Sequence, residues 1–371
     1  MSEKDFFLHI EKHYTSQLPF VAYRKPNKTI VKALFQNNST IHIVDDFSEN
    51  GFIFSPFDSE HATIIFPSEH CNMITSEMSF SSEIVPKNNR ELHDESKREH
   101  HVNLVQKGID HITTDSVKKI VLSRVETVPI SEDTPLDIFQ SLLNHYQNAF
   151  VYIWYHPEIG LWLGATPETL LNVEGQRFKT MSLAGTQPYN GHLNVDWNLK
   201  NKEEQQFVTD FIIDGLKPFV ERLNSTEAMT IRAGQLLHLK SEIFGTLKPD
   251  CLKDVIHTLH PTPAVCGLPK HNAKAFILSN ENYNREFYTG FLGELNIKTT
   301  KTRNTNRRNV ENNAYASVKT TSQLYVNLRC MQIKDQHAMI YVGGGVTKDS
   351  NPLEEWDETV NKAQTMLSVL T

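Results

Sequence analysis

The chain has 371 residues, with 37 Lys or Arg against 44 Asp or Glu and a formal net charge of −7. That length is ample for a buried core, and the mild acidity offers no global attraction to nucleic acid or to an anionic membrane surface. Cys71, Cys251, Cys266 and Cys330 include no C-x-x-C pair, which disfavours a zinc site or a disulfide framework and suits a reducing cytoplasm.

The first residues lead into a short amphipathic run at 6–10, too short and too charged for a signal peptide or a membrane span. Apolar runs at 20–23, 41–44, 51–54 and 62–66 alternate with polar turns and predict a strand-rich N-terminal part spanning 1–100. Polar residues from 86 to 101 read as a linker or exposed helix start, leading to a helix over about 101–116. A strand at 119–124 follows, then a helix near 134–147 and strands at 149–155, 160–164 and 169–173. Helices are predicted at about 198–223 and 271–280, and strands at 288–297, 322–333 and 337–342. Helices and antiparallel-looking strands are mixed rather than strictly alternating, which predicts an α+β fold with 101–371 integrated with the N-terminal strands. The stretch 298–309 is basic and Asn/Thr-rich, so it predicts a long hairpin tip; without aromatics before Tyr315 it makes a poor nucleic-acid surface.

The closing segment is dense in polar chemistry. Gly343, Gly344 and Gly345 end an apolar strand, and Asn351, Pro352 and Glu354 supply an N-cap, a first-turn proline and a capping-box partner. Leu353, Trp356, Val360, Ala363 and Leu367 form an apolar stripe, which leaves Glu355, Glu358 and Lys362 on another face. Backbone N–H groups at the glycines can approach an anion, and the carboxylates can hold a hard cation such as magnesium, although such an acidic face is also commonly just solvated.

Upstream, Lys119 heads three apolar residues, where an ammonium can enter a low-dielectric site and serve as a base, or be an ordinary strand-end lysine. Glu168 follows a Pro turn and precedes an apolar run, where burial would raise its pKa and suit a general acid; the alternative is a turn glutamate. The proline-rich loop 260–269 can offer the Thr262 hydroxyl and the Gly267 N–H to an anion, or be structural only. Arg329 interrupts a strand pattern and suits a buried carboxylate partner, and His238 reads equally as a core histidine.

Taken in order from about 118 to 362, these segments resemble the chorismate-utilising enzymes, which include the isochorismate, salicylate, anthranilate and aminodeoxychorismate synthases. Lys119-Ile-Val-Leu-Ser-Arg resembles K-V-V-L-[AS]-R, Gly164-Ala-Thr-Pro-Glu168 resembles G-A-[ST]-P-E, and Leu183-Ala184-Gly185-Thr186 matches L-A-G-T. Lys200-Asn-Lys-Glu-Glu204-Gln is similar to K-D-x-x-E-H, Arg285-Glu-Phe-Tyr288-Thr-Gly290 to R-x-x-Y-x-G, and Val326-Asn-Leu-Arg329 to V-A-I-R. The run from Ser350 to Thr359 resembles S-D-P-x-x-E-W-x-E-T.

The resemblance implies an anthranilate synthase component I-like fold, with large antiparallel sheets packed together and surrounded by helices. It points to the isochorismate synthases, because Lys119 is typically missing from ammonia-adding members and aminodeoxychorismate synthases typically carry lysine where this chain has Ala184. The loop 260–267 also looks like their H-P-T-P-A-V-x-G. Water is then the implied nucleophile: Lys119 would deprotonate it for attack at ring C2, and Glu168 would protonate the departing C4 hydroxyl. Ala184, Gly185, Thr186, His238, Thr262 and Gly267 would contact substrate. Tyr288, Arg329, the Gly343 N–H and Lys362 would hold its enolpyruvyl carboxylate. Magnesium would join the ring carboxylate to Glu204 and Glu358, with Glu355 acting directly or through water. Lys362 is then expected as a substrate contact rather than a helix-face counterion. Asn201 and Gln205 depart from K-D-x-x-E-H, which is expected to weaken the cation site, and the segment 298–320 is longer than usual. The resemblance implies a cytoplasmic monomer acting on chorismate in menaquinone or siderophore synthesis. Salicylate synthase, disfavoured by Ala264, and a catalytically silent chorismate-binding homologue are the alternatives.

Overall fold

Two large antiparallel sheets, each built from strands of both ends of the chain, form the interior. The computed structural model describes residues 1–80, 94–130, 133–233, 236–301 and 317–370. The first sheet runs in the order Gly267–Leu268, Lys119–Pro129, His337–Val346, Cys330–Lys334, Gly160–Thr166, Phe150–His156, Phe20–Arg24, Ile30–Gln36 and Cys71–Glu77. The second runs Val220–Ser225, Leu236–Leu247, Arg177–Pro188, Thr169–Glu174, Ser317–Val326, Phe291–Lys301, Gly51–Ser55, Ile64–Pro67 and His42–Ile43, with Met229–Ala233 also paired to Leu236–Leu247. The mixed α+β reading therefore holds, and strands from before residue 81 sit in both sheets.

The facing surfaces of the sheets meet in an aromatic layer that includes Tyr23, Phe54, Tyr152, Trp154, Trp162, Tyr325 and Tyr341. Rings stack closely here, as in the Phe54–Phe287 and Phe150–Tyr325 pairs at 4.2 and 4.3 Å. Each such pair adds about 0.5–1.5 kcal/mol beyond its area burial. The outer face of the first sheet is covered by the helices Glu3–Thr15, Pro135–His145 and Pro352–Leu367, and that of the second by Leu199–Leu216 and Leu252–Leu259. Helices Glu95–Thr114 and Lys270–Asn280 close a further apolar cluster against the start of Lys119–Pro129.

The structure differs from the sequence reading in instructive places. The expected helix 101–116 starts at Glu95, because the Asp94 side chain accepts from the Lys97 N–H and caps it earlier. The expected helix 198–223 ends at Leu216; Pro218 cannot continue the N–H ladder, and a strand begins at Val220. The N-terminal helix and the strands Ile30–Gln36, Cys71–Glu77, Arg177–Pro188 and Leu236–Leu247 have no counterpart in the sequence reading. The single strand expected at 322–333 is two strands in different sheets. In the closing helix Asn351 caps the Leu353 N–H, one residue short of the expected box with Glu354. Its buried face is Trp356, Thr359, Ala363, Met366 and Leu367, whereas Leu353 is 48% exposed. Residues 302–316, most of the basic segment, and 81–93 lie outside the described residues.

Candidate active site

Two connections pass from one sheet to the other side by side, and each carries an ionisable residue at the crossing. Gly160–Thr166 of the first sheet leads through Glu168 into Thr169–Glu174 of the second, and Ser317–Val326 of the second returns through Arg329 to Cys330–Lys334 of the first. The crossings are bonded to each other: Ala165 N–H donates to Arg329 O at 2.9 Å, Val326 N–H to Glu168 O at 3.0 Å, and Thr166 Oγ1 to Val326 O at 2.6 Å. Asn327 fixes the return crossing, accepting from Tyr152 Oη at 2.6 Å and donating to Phe287 O at 2.9 Å. Arg329 takes a left-handed conformation, φ +47°, so the interruption seen in the sequence is a turn between sheets rather than a charged strand position.

The strand His337–Val346 supplies the next wall. A Cβ at Gly343 would stand 3.0 Å from Tyr288 Oη, at Gly344 2.9 Å from Glu355 Oε2, and at Gly345 2.7 Å from Lys119 Cε. The three glycines therefore leave space that the neighbouring polar side chains occupy. Tyr288 is aimed here by a stacked series in which Tyr341 lies 5.4 Å from Tyr288 and 5.2 Å from Trp162. Arg124 ties the closing helix to its strand: its Nε donates to Thr359 Oγ1 at 2.8 Å and its guanidinium lies 4.2 Å over Trp356. That tie places Glu355, Glu358 and Lys362 beside the glycines.

The electrostatics are uneven. Glu168 is 7% exposed, and burial pushes its carboxyl up to about 7 against the opposing charges of Arg329 and Lys119. Burial likewise raises Glu355; Ser350 works against that, and the charge of Glu358 adds to it. For Glu358 burial acts upward, but Lys362, Arg329 and Lys119 together outweigh it and hold the carboxyl below its usual range. Burial lowers Arg329, Lys362 and His238, and raises the Tyr288 hydroxyl. Lys119 Nζ donates to Glu204 Oε1 at 2.6 Å. Lys362 pairs with Glu358 and donates to Gly343 O at 2.8 Å, so in this state it is a helix-face counterion.

The remaining predicted residues fall into two groups. Ala184 is buried, Gly185 has φ +71° and its carbonyl meets His238 Nδ1 at 3.0 Å. Thr186 follows in the same strand, with its side chain outside the described set. The Thr262 hydroxyl is buried with no hydrogen-bond partner in the protein. Gly267 serves chain packing: it pairs with Ile120, and a Cβ there would stand 2.2 Å from Lys119 O. Gln205 is 2% exposed and donates to Ser182 Oγ at 2.9 Å and Ser241 Oγ at 3.2 Å, which seats the helix start that carries Glu204. The Asn201 N–H is used by the Asn198 cap. The sequence reading missed the pair of Arg285 and Glu281: the guanidinium donates to Val121 O and Val265 O, and Glu281 accepts from Ser123 N–H and Oγ. It joins the Lys119 strand to the proline-rich loop; Glu281 ends its helix and Arg285 lies in the loop beyond, so helix spacing gave no signal of the pair.

A divalent cation suits this donor set. Glu204, Glu355 and Glu358 offer only hard oxygen ligands, and Glu355 Oε2 is buried without a hydrogen-bond partner. Among the described residues, no three acidic, imidazole or thiol groups converge as a closed metal cage. Two of the carboxylates are engaged by lysines instead. Among the described residues no helix is long and apolar enough to cross a membrane.

Comparison with known proteins agrees with this geometry. A sequence model described as chorismate binding enzyme matches residues 58–300, and a second of the same description matches 314–368. Isochorismate synthase MenF of Pasteurella multocida is 29% identical over 72% of this chain and 60% of its own length. Isochorismate synthase DhbC of Bacillus subtilis is 28% identical over 73% and 68%. The alignment thus spans roughly two thirds or less of these relatives' lengths. Among solved structures, a putative 2,3-dihydroxybenzoate-specific isochorismate synthase of Bacillus anthracis superposes with a TM-score of 0.73 at 23% identity, covering 97% of this chain and 98% of that one. Anthranilate synthase component I of Streptococcus pneumoniae gives 0.62 at 17% identity, covering 94% and 92%. With its paired sheets, its crossings and its glycine-lined wall, the chain belongs to the chorismate-binding enzymes.

Proposed function

We propose that the protein is an isochorismate synthase that interconverts chorismate and isochorismate with magnesium bound, feeding menaquinone or catechol siderophore assembly. The observation that carries this reading is Glu168: a buried carboxyl, pushed up to about 7, in the field of Lys119 and Arg329. Such a group keeps a proton to give near neutral pH.

In the forward direction Lys119 takes a proton from the water that bonds to ring C2. The ring π electrons shift, the C4–O bond breaks, and Glu168 gives its proton to the departing hydroxyl. The reverse reaction returns both protons. Arg329, Tyr288 and Lys362 are the groups that would bind and orient the enolpyruvyl carboxylate. Glu204, Glu355 and Glu358 would hold magnesium, which supplies positive charge for the ring carboxylate. The aromatic layer beneath keeps bulk water from the crossing. The names of the relatives, isochorismate synthases, support the same reaction.

The test is incubation of purified protein with chorismate and magnesium, with and without ammonium, followed by chromatographic separation of products. Isochorismate without pyruvate is expected, and EDTA is expected to stop its formation. Salicylate with pyruvate would replace this reading by a salicylate synthase, and unchanged chorismate by a silent binding homologue. Turnover that persists in metal-free protein would refute the carboxylate site.

A further inference from the structure

The two lysines of the site are engaged in the wrong place for the reaction just described. Lys119 Nζ sits on Glu204 Oε1 at 2.6 Å, and Lys362 Nζ sits on Glu358 Oε1. Both acceptors are carboxylates assigned above to the cation, and both donors are assigned to the water or the substrate. Glu355, Glu358 and Lys119 meet at two consecutive residues of one strand. A Cβ at Gly344 would lie 2.9 Å from Glu355 Oε2 and 3.9 Å from Glu358 Oε1, and one at Gly345 would lie 3.2 Å from Lys119 Nζ. Two of the three carboxylates are thus each paired with one lysine, while Glu355 Oε2 is buried and without a hydrogen-bond partner.

We propose that Lys119 and Lys362 are the resident counterions of the cation site, displaced from Glu204 and Glu358 when magnesium enters. This rests on the magnesium-dependent reading given above. A dication and an ammonium on the same carboxylate oxygen repel, so the cation enters by breaking both ion pairs. Released Lys362 needs a new anion, which a dicarboxylate substrate provides, and released Lys119 leaves Glu204 to meet the water. Cation and substrate then strengthen each other's binding, because each relieves a cost that the other would meet alone. The side chains of Lys119, Glu204, Lys362 and Glu358 retain 13, 26, 15 and 33% of their exposure, enough for exchange without opening the fold.

The experiment measures Mn²⁺ binding to the full chain, without substrate, by electron paramagnetic resonance or calorimetry. Lys362→Met and Lys119→Met are each expected to bind Mn²⁺ at least threefold more tightly than the wild type. Lys217→Met, which removes the same charge from an exposed pair with Asp214 past the far end of the Glu204 helix, is expected to match the wild type. Thermal unfolding of each variant shows that the fold persists, and Lys→Gln versions replace any that fail. Unchanged or weaker Mn²⁺ binding in both folded variants, alongside magnesium-dependent turnover by the wild type, overturns the counterion role and leaves the reaction standing. No Mn²⁺ binding by any form overturns both this proposal and the cation part of the reading.

Discussion

Two buried clusters of acids and lysines show how differently the same residue types can be employed. Away from the site, Glu294 of the second sheet is 3% exposed and accepts from Tyr23 Oη at 2.6 Å, from Lys32 Nζ at 2.9 Å and from Lys25, all three from the first sheet or its edge. Burial acts to raise its carboxyl, but Lys25 and Lys32 outweigh burial and hold it below the usual range. At the crossings, Glu168 is pushed up to about 7 and Glu355 keeps an oxygen with no protein partner. The first cluster is complete within the chain and fastens one sheet to the other. The second has unmet capacity, and a guest carrying charge can meet it. A deficit of partners, rather than burial or charge as such, distinguishes the cluster proposed as the site from the structural one.

The largest expected effect tests the incomplete cluster. Lys119→Ala should lower kcat at least about 1,000-fold, within the range for loss of a proton-transfer group, while chorismate binding in the presence of magnesium stays measurable by calorimetry. Wild-type-like turnover would remove Lys119 from the chemistry and make it a structural partner of Glu204.

A pH profile sharpens the contrast further. Glu168 donates only while protonated, so kcat should fall about tenfold per unit as pH rises above its carboxyl value of about 7. The stability linkage has a definite sign: the folded value lies above the ordinary 4.5, so the folded state holds the extra proton between the two. The stabilising contribution of this proton is complete below 4.5 and is lost as pH rises through 7. Glu168→Gln should flatten that slope in denaturant titrations; an unchanged slope would show that the carboxyl is not held neutral by burial.

The complete cluster should respond in stability instead. Glu294→Gln leaves two lysines short of a charge, but both are partly exposed, so a loss of about 1–3 kcal/mol is expected with kcat within about twofold of wild type. A large loss of kcat without a shift in unfolding would mean that the two clusters are not separable.

The motif residues could be read from sequence because their chemistry is local: a carboxyl after a Pro turn, glycines before a capped helix, an arginine breaking an apolar run. Their surroundings were less legible. Nothing in 322–333 shows that the chain changes sheets at Asn327 to Arg329, since alternation records which side is buried and not which sheet does the burying. Gln205 read as a departure from a motif, whereas two of its three hydroxyl neighbours, Ser182 and Ser241, come from strands distant in sequence, and only Thr209 lies in its own helix. The same holds for Lys119 and Glu204, 85 positions apart yet paired. Conversely the Lys362–Glu358 pair follows ordinary helix spacing, and the family pattern drew attention away from it.

The paired crossings have a mechanical consequence. Glu168 and Arg329 each occupy the short span where the chain steps between sheets, and backbone bonds such as Ala165 N–H to Arg329 O and Val326 N–H to Glu168 O lash the two spans together. If one sheet slides over the other, Glu168 and Arg329, proposed above as proton donor and anion clamp, are carried along in the same stroke. The aromatic layer, with Phe66 stacked on Trp154 and Phe150 on Tyr325 from one sheet to the other, resists that slide. The relative placement of Glu168 and Arg329 is therefore machined into the stacking of the sheets, and ring residues outside the crossings set its tolerance.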